Sequence, residues 1–186
     1  MKRLTVLLVS LTLLFAAVCM SGCFNRHDDN KATGKKFTHS GVDLGLPSGN
    51  IWASYNVGAH APEERGYYIE WIDTKELVEK FNWEKGWRVP TEDEWVELYQ
   101  NCTYTLENRQ DINGETIGGL LFRASNGNSL FLPAIQYNDL WGYYWSCTPY
   151  PLERKHVMEF SFVEDEIGVF HKHKNAKGFI RPVHSK

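Results

Sequence analysis

Pro90-Thr91-Glu92-Asp93-Glu94-Trp95 is the segment that leaves this chain the least conformational freedom. A threonine three residues ahead of a glutamate has capping-box spacing, in which each side chain accepts from the other residue's backbone N–H. Behind it Trp95, Leu98 and Cys102 recur at i, i+3 and i+7, which predicts a helix with one apolar face. A shorter helix is predicted over Thr74–Phe81, where Leu77, Val78 and Phe81 share a face and Asp73 or Thr74 can cap the start. The rest reads as short strands. Leu44 to Gly49 is a turn between two extended pieces, the second being Ile51–Tyr55. Thr116–Ala124, the turn Asn126-Gly127-Asn128 and Leu130-Phe131-Leu132 form a hairpin pattern, since those turn residues tolerate positive φ. Further strands are expected at Tyr143–Cys147, His156–Phe162, Ile167–Phe170 and Gly178–Val183, with Glu164-Asp165-Glu166 as an exposed turn. Met158, Phe160 and Phe162 alternate with Val157, Glu159 and Ser161, the period of two that sheet requires. The expected fold class is α+β, two short helices with several short antiparallel strands in one domain over residues 41–186.

The chain starts with Lys2 and Arg3, an uncharged run from Leu4 to Val18, and small residues before Cys23, the order of an export signal. Its strongly apolar part is about 15 residues, where a membrane span needs about 20. Met20-Ser21-Gly22-Cys23 resembles the bacterial lipobox, with Met20 where Leu is preferred. That resemblance implies cleavage after residue 22 and lipidation of Cys23, whose acyl chains would hold the chain on a membrane. Residues 1–22 are thus read as a lipoprotein signal peptide and 23–40 as a lipidated tether, polar and with little to bury. Asp28-Asp29 in that tether is either a surface-sorting signal like that of Bacteroidetes lipoproteins or an ordinary polar linker. The expected location is the bacterial outer membrane, on its surface or on the periplasmic face.

The chain carries 20 Lys+Arg against 23 Asp+Glu, and losing Lys2 and Arg3 with the signal moves the formal charge from −3 to −5. With pI ≈ 6.2 there is no basic excess for a phosphate backbone, so no nucleic-acid partner is expected. Cys102 and Cys147 remain after processing, in an oxidising compartment, and either form a disulfide or pack as two buried thiols.

Val42-Asp43-Leu44-Gly45-Leu46-Pro47-Ser48-Gly49, Gly86-Trp87-Arg88-Val89-Pro90-Thr91, Trp95, Asn126-Gly127-Asn128, Phe131-Leu132-Pro133-Ala134, Gly142-Tyr143-Tyr144-Trp145-Ser146 and Arg181-Pro182-Val183 resemble the Fibrobacter succinogenes major paralogous domain family. The likeness spans residues 42–183. It implies an exported lipoprotein with no established enzymatic activity. The segment from Arg88 to Trp95 and the ending from Gly178 to Val183 are also similar to formylglycine-generating enzymes and other C-type lectin-like domains, which implies a C-type lectin-like fold.

Formylglycine-generating enzymes rely on a late pair of redox cysteines, and His156–Lys186 contains none. Cys147 with His156 lacks a visible orienting partner, and Glu92, Asp93, Glu94 and Glu97 read as a solvated helix start favoured by the macrodipole. The chain is therefore expected not to be an enzyme and to need no cofactor. His171 and His173 share a strand face, to which His156 and His184 could be brought by pairing, but Lys172 and Lys174 oppose a cation and no metal is expected. The calcium-lectin motifs Glu-Pro-Asn and Trp-Asn-Asp are absent. Aromatic residues are densest from Tyr137 to Tyr150. Tyr143 and Trp145 are assigned to the core, and Tyr137, Asn138, Asp139, Trp141 and Tyr144 are taken as candidate ligand-binding residues for a glycan or a protein. Arg88 and Arg181 are read as structural clamps. Two functions follow, a non-catalytic lectin-like binding module or a structural component of an envelope assembly, with an enzyme of unrecognised chemistry third.

Overall fold

The structure, a computed structural model, describes residues 40–81, 83–135, 140–163 and 166–186. Cys23 and the candidate residues Tyr137, Asn138 and Asp139 lie outside the described residues, as do the signal segment, the tether up to residue 39 and Glu164-Asp165.

The fold is α+β, mostly antiparallel strands with two short helices. In chain order the elements are β1 (Gly41–Asp43), β2 (Ile51–Ala53), β3 (Ile69–Glu70), α1 (Thr74–Phe81), β4 (Trp87–Arg88), α2 (Glu92–Asn101), β5 (Thr103–Gln110), β6 (Thr116–Arg123), β7 (Ser129–Pro133), β8 (Gly142–Pro149), β9 (His156–Val163), β10 (Glu166–His173), β11 (Lys177–Gly178) and β12 (Val183–His184). Among the described residues they pair into four sheets, ordered β1-β2-β12-β4, β5-β6-β7, β10-β9-β8 and β11-β3.

Local chemistry accounts for the helices. Thr91 Oγ1 accepts from Glu94 N at 3.3 Å while the Glu94 carboxylate accepts from Thr91 N at 2.8 Å, so the reciprocal cap forms. Trp95 and Leu98 then point into the core with no exposure. In α1 the cap is Asp73, whose Oδ1 accepts from Glu76 N at 2.9 Å, and Leu77 is the fully buried residue. The β6–β7 hairpin closes in the register Phe122↔Leu130, with Gly127 at φ +88° supplying the positive dihedral that its turn needs.

Two parts of the chain depart from the sequence pattern. The stretch expected as one strand from Gly178 to Val183 is divided between β11 and β12, because it leaves the partner β3 and enters another sheet between β2 and β4. Pro182, with no N–H to give to a ladder, sits at the crossing and accepts from Ala53 N through its carbonyl. β5 is a full eight-residue strand on a sheet edge with almost every side chain exposed, so it carries no apolar period to read.

Among the described residues two large apolar clusters fill the domain, with a small third of Ile117, Leu121 and Phe131. One holds Trp52, Trp95, Leu98, Phe122, Leu132, Tyr144, Phe160, Phe162 and Phe179, and the other holds Leu77, Trp83, Val89, Trp145, Val157 and Ile180. The β8-β9-β10 sheet sends side chains to both. Tyr144, Phe160 and Phe162 enter the first and Trp145 and Val157 the second, so neighbouring residues of β8 are buried on opposite faces. This corrects the assignment of Tyr144 to the surface: it has no exposure, and its hydroxyl donates to Pro133 O at 2.8 Å. Tyr143, assigned to the core, is half-buried.

Cys102 and Cys147 are both free thiols, the first inside one cluster and the second packed against the other, so the structure contains no bond between them. Glu94 is not part of a solvated acidic face either. It is 8% exposed and holds both guanidinium nitrogens of Arg88, the side-chain amide of Asn50 and the cap N–H of Thr91. Burial works against its charge, but these donors keep its carboxyl below the usual range. Arg181, fully buried, donates to Asn56 Oδ1, Ala53 O, Ser54 O and Phe131 O at 2.8 to 3.1 Å and ties β2 to β7.

Candidate functional site

Pairing in the β8-β9-β10 sheet sets Tyr143 opposite Ser161, Glu159 between Trp145 and Phe170, and Lys172 opposite Val157. Side chains alternate across a strand, so Tyr143, Glu159, Phe170 and Lys172 share one face. At the Trp145 and Val157 end that face is covered by the second cluster. Along the outer strand β10 it opens to solvent, with Phe170 41% exposed, and Tyr143 on β8 is half-buried.

Glu159 lies at the base of this face with 4% exposure. Lys172 Nζ stands 3.5 Å from its Oε2 and 3.2 Å from the centroid of the Tyr143 ring, so one ammonium serves a carboxylate and an aromatic face together. Beside it Lys174 Nζ lies 4.4 Å over the Trp71 ring. Trp71 is fixed by two bonds, from its backbone N to Lys174 O at 3.1 Å and from its indole N–H to Ser146 O at 2.8 Å. Tyr68, half-buried, packs its ring 4.9 Å from Phe179.

Burial pushes the Glu159 carboxyl up to about 7, with Lys172 opposing the rise. The same burial draws the Lys172 ammonium down, offset by Glu159. Burial raises the Tyr68 phenol to about 12, with smaller contributions from Tyr143 and Glu159. The arrangement offers a carboxyl that exchanges its proton near neutral pH, an ammonium and two phenols, set among flat rings. These are donors and acceptors for a hydroxyl-rich ligand.

Of the surface residues expected from sequence, Trp141 is 36% exposed, and its carbonyl accepts from Ile135 N at 2.7 Å. Leu140 before it has φ +47°, a left-handed conformation uncommon for a residue with a Cβ and one that concentrates at ligand sites. Sequence reasoning misses Glu159, Lys172, Tyr68 and Trp71. The available signal is a carboxylate in the run from Val157 to Phe162, where Ser161 is the other polar residue; taken alone it reads as the outward side of a one-sided strand.

Of the two histidines that pairing could bring to His171 and His173, His156 arrives and His184 does not. His156 faces His173 directly across the ladder, and the rings of His173 and His171 lie 5.3 and 5.4 Å from that of His156. His184 instead packs edge-on to Trp87 at 5.5 Å. His156 Nδ1 is 2.7 Å from Glu153 Oε2, His173 Nδ1 accepts from Asn175 N at 3.1 Å, and His171 stacks on Tyr150 at 4.0 Å. Among the described residues no group of three His, Cys, Asp or Glu side chains is placed to hold a metal ion.

Compared with family models, with curated proteins and with solved structures, the chain matches none of them.

Proposed function

We propose that this chain is an outer-membrane lipoprotein, anchored through lipid on Cys23, whose domain over residues 41–186 is a C-type lectin-like binding module that recognises a glycan through the Tyr143, Glu159 and Lys172 face. The reading is non-catalytic. The observation that carries it is the buried Glu159 carboxylate paired with the half-buried Lys172, on a face that also carries the half-buried Tyr143 and the exposed Phe170. Apolar side chains of similar volume would hold such a sheet at least as well as a buried ion pair, so a pair placed where the face opens is read as serving a ligand. Phe170 supplies flat apolar surface for a sugar ring, and Lys172 with the Tyr143 hydroxyl supplies partners for its hydroxyls. Trp141, exposed beside a left-handed Leu140, is a further contact in this reading.

The test is a glycan-array screen of soluble residues 24–186 beside Tyr143→Ala and Glu159→Gln, each checked for folding by circular dichroism. Binding that is lost in the folded variants supports the reading. An array with no bound glycan overturns it. The second reading, an assembly component, is favoured by β5, an eight-residue edge strand with Tyr104 and Leu106 exposed, since unpaired edges accept partner strands.

A further inference from the structure

The open end of the β9–β10 hairpin concentrates positive charge in a chain whose formal charge is −3. The register pairs Val157 with Lys172, and Lys174 N donates to Lys155 O at 2.9 Å, so Arg154 and Lys155 entering β9 lie alongside Lys172 and Lys174 leaving β10. Lys177 follows at the start of β11. Arg154, Lys155 and Lys177 are exposed, whereas Lys172 and Lys174 rest on the rings of Tyr143 and Trp71. His156, His171 and His173 lie among them.

Three acids face this corner. Glu153 is engaged by His156, Glu70 sits opposite Lys177 across β3 and β11, and Glu159 is buried beneath Lys172. Five fixed cations therefore stand over acids that are mostly occupied already. The other end of the same hairpin begins β10 with the exposed Glu166, after Glu164-Asp165 in the sequence. Positive side chains are thus confined to the end where Lys174 covers the Trp71 ring, and Lys172 alone reaches from it to the Tyr143 ring.

We infer that this corner is a subsite for acidic groups, so that the ligand of the domain is a polysaccharide bearing carboxylate or sulfate. The inference rests on the glycan-binding reading above and extends it. Arg154, Lys155 and Lys177 form charge-assisted hydrogen bonds with the anionic substituents, while the adjoining rings take the apolar face of the sugar. Part of the affinity is electrostatic and falls as salt rises.

The experiment uses the full chain in non-ionic detergent, with affinity electrophoresis through gels containing polygalacturonate, dextran sulfate or neutral dextran, at low and at physiological salt. Arg154→Gln, Lys155→Gln and Lys177→Gln are combined in one variant, all at exposed positions so that the fold is kept. A control variant combines Lys75→Gln, Lys80→Gln and Lys85→Gln, the same change in charge on exposed residues around α1. The expected result is retardation by at least one of the acidic polymers, weakened roughly tenfold in the hairpin variant and by less than about twofold in the control. Equal weakening in both variants shows charge attraction without a site and overturns the inference. So does binding to phosphatidylglycerol vesicles with none to either acidic polymer. Neutral glycans bound in a manner that depends on Tyr143 and Glu159, with no acidic polymer bound, refute this inference and leave the glycan reading standing.

Discussion

Lys172 reaches back over its own sheet so that its ammonium lies 3.5 Å from the Glu159 carboxylate and 3.2 Å from the Tyr143 ring centroid. Burial outweighs that ammonium, so the folded domain keeps a carboxyl that is protonated up to about pH 7, against an ordinary value of 4.5. Between those values the native state holds a proton that the unfolded chain has released, so stability falls as pH rises through this window and levels off above it. The fall is on the order of 3 kcal/mol, since each tenfold change in proton affinity between the two states corresponds to about 1.4 kcal/mol. Urea titrations of wild type and Glu159→Gln across this range measure it. Curves that run parallel from pH 4.5 to 7 would show that Glu159 titrates normally.

Arg181 gives the largest expected loss. Arg181→Met leaves the carbonyls of Ala53, Ser54 and Phe131 without their donor inside the domain, at about 3 to 5 kcal/mol. Arg181→Lys recovers little of this, because one ammonium cannot span acceptors arranged around a planar fork. Denaturant midpoints decide it, and a loss below about 1 kcal/mol in Arg181→Met would contradict the account.

The helix cap offers a graded pair. Thr91→Ala removes one half of the reciprocal cap and costs about 1 kcal/mol. Glu94→Gln weakens the bonds to Arg88, Asn50 and Thr91 together and costs about 2 kcal/mol near neutral pH. The Glu94 carboxyl is depressed in the folded state, so its contribution is present above 4.5 and disappears as pH falls through the lowered value. The two variants are compared by thermal unfolding at neutral and acidic pH; a penalty for Glu94→Gln that persists unchanged in acid would be inconsistent with this.

The thiols give a covalent test. Burial raises both Cys102 and Cys147 above the usual thiol range, so both react slowly with alkylating reagents in the folded chain. Protein beginning at residue 24, unfolded without reductant, should take up two equivalents, and uptake of none would mean that the cysteines pair after export.

The elements legible in the sequence are those whose signals are local. Thr91 and Glu94 announce α2 because both halves of the cap lie within four residues, and Asn126-Gly127-Asn128 announces the β6–β7 hairpin because its dihedral demand is met there. β3, β4, β11 and β12 are two residues each, too short for any period, and exist through partners that are distant in the chain. Burial in β8 escapes the pattern for a related reason. A period of two separates core from solvent when one face is covered, and here Tyr144 and Trp145 both meet a core. The candidate site is partly legible. Aromatic density marks the neighbourhood of Tyr143, whereas Glu159 and Lys172 come together through a ladder that no local spacing encodes.

The order β1-β2-β12-β4 has a consequence for when the domain can form. β2 and β4 have no ladder with each other and are joined through Val183 and His184, which lie about 130 and 95 residues later in the chain. Arg181, reaching back to Ala53 and Ser54, arrives at the same moment. A chain emerging amino end first therefore cannot close its first sheet until its last strand has been delivered. Were the chain exported as proposed, that delay would keep its first sheet open until β12 had crossed.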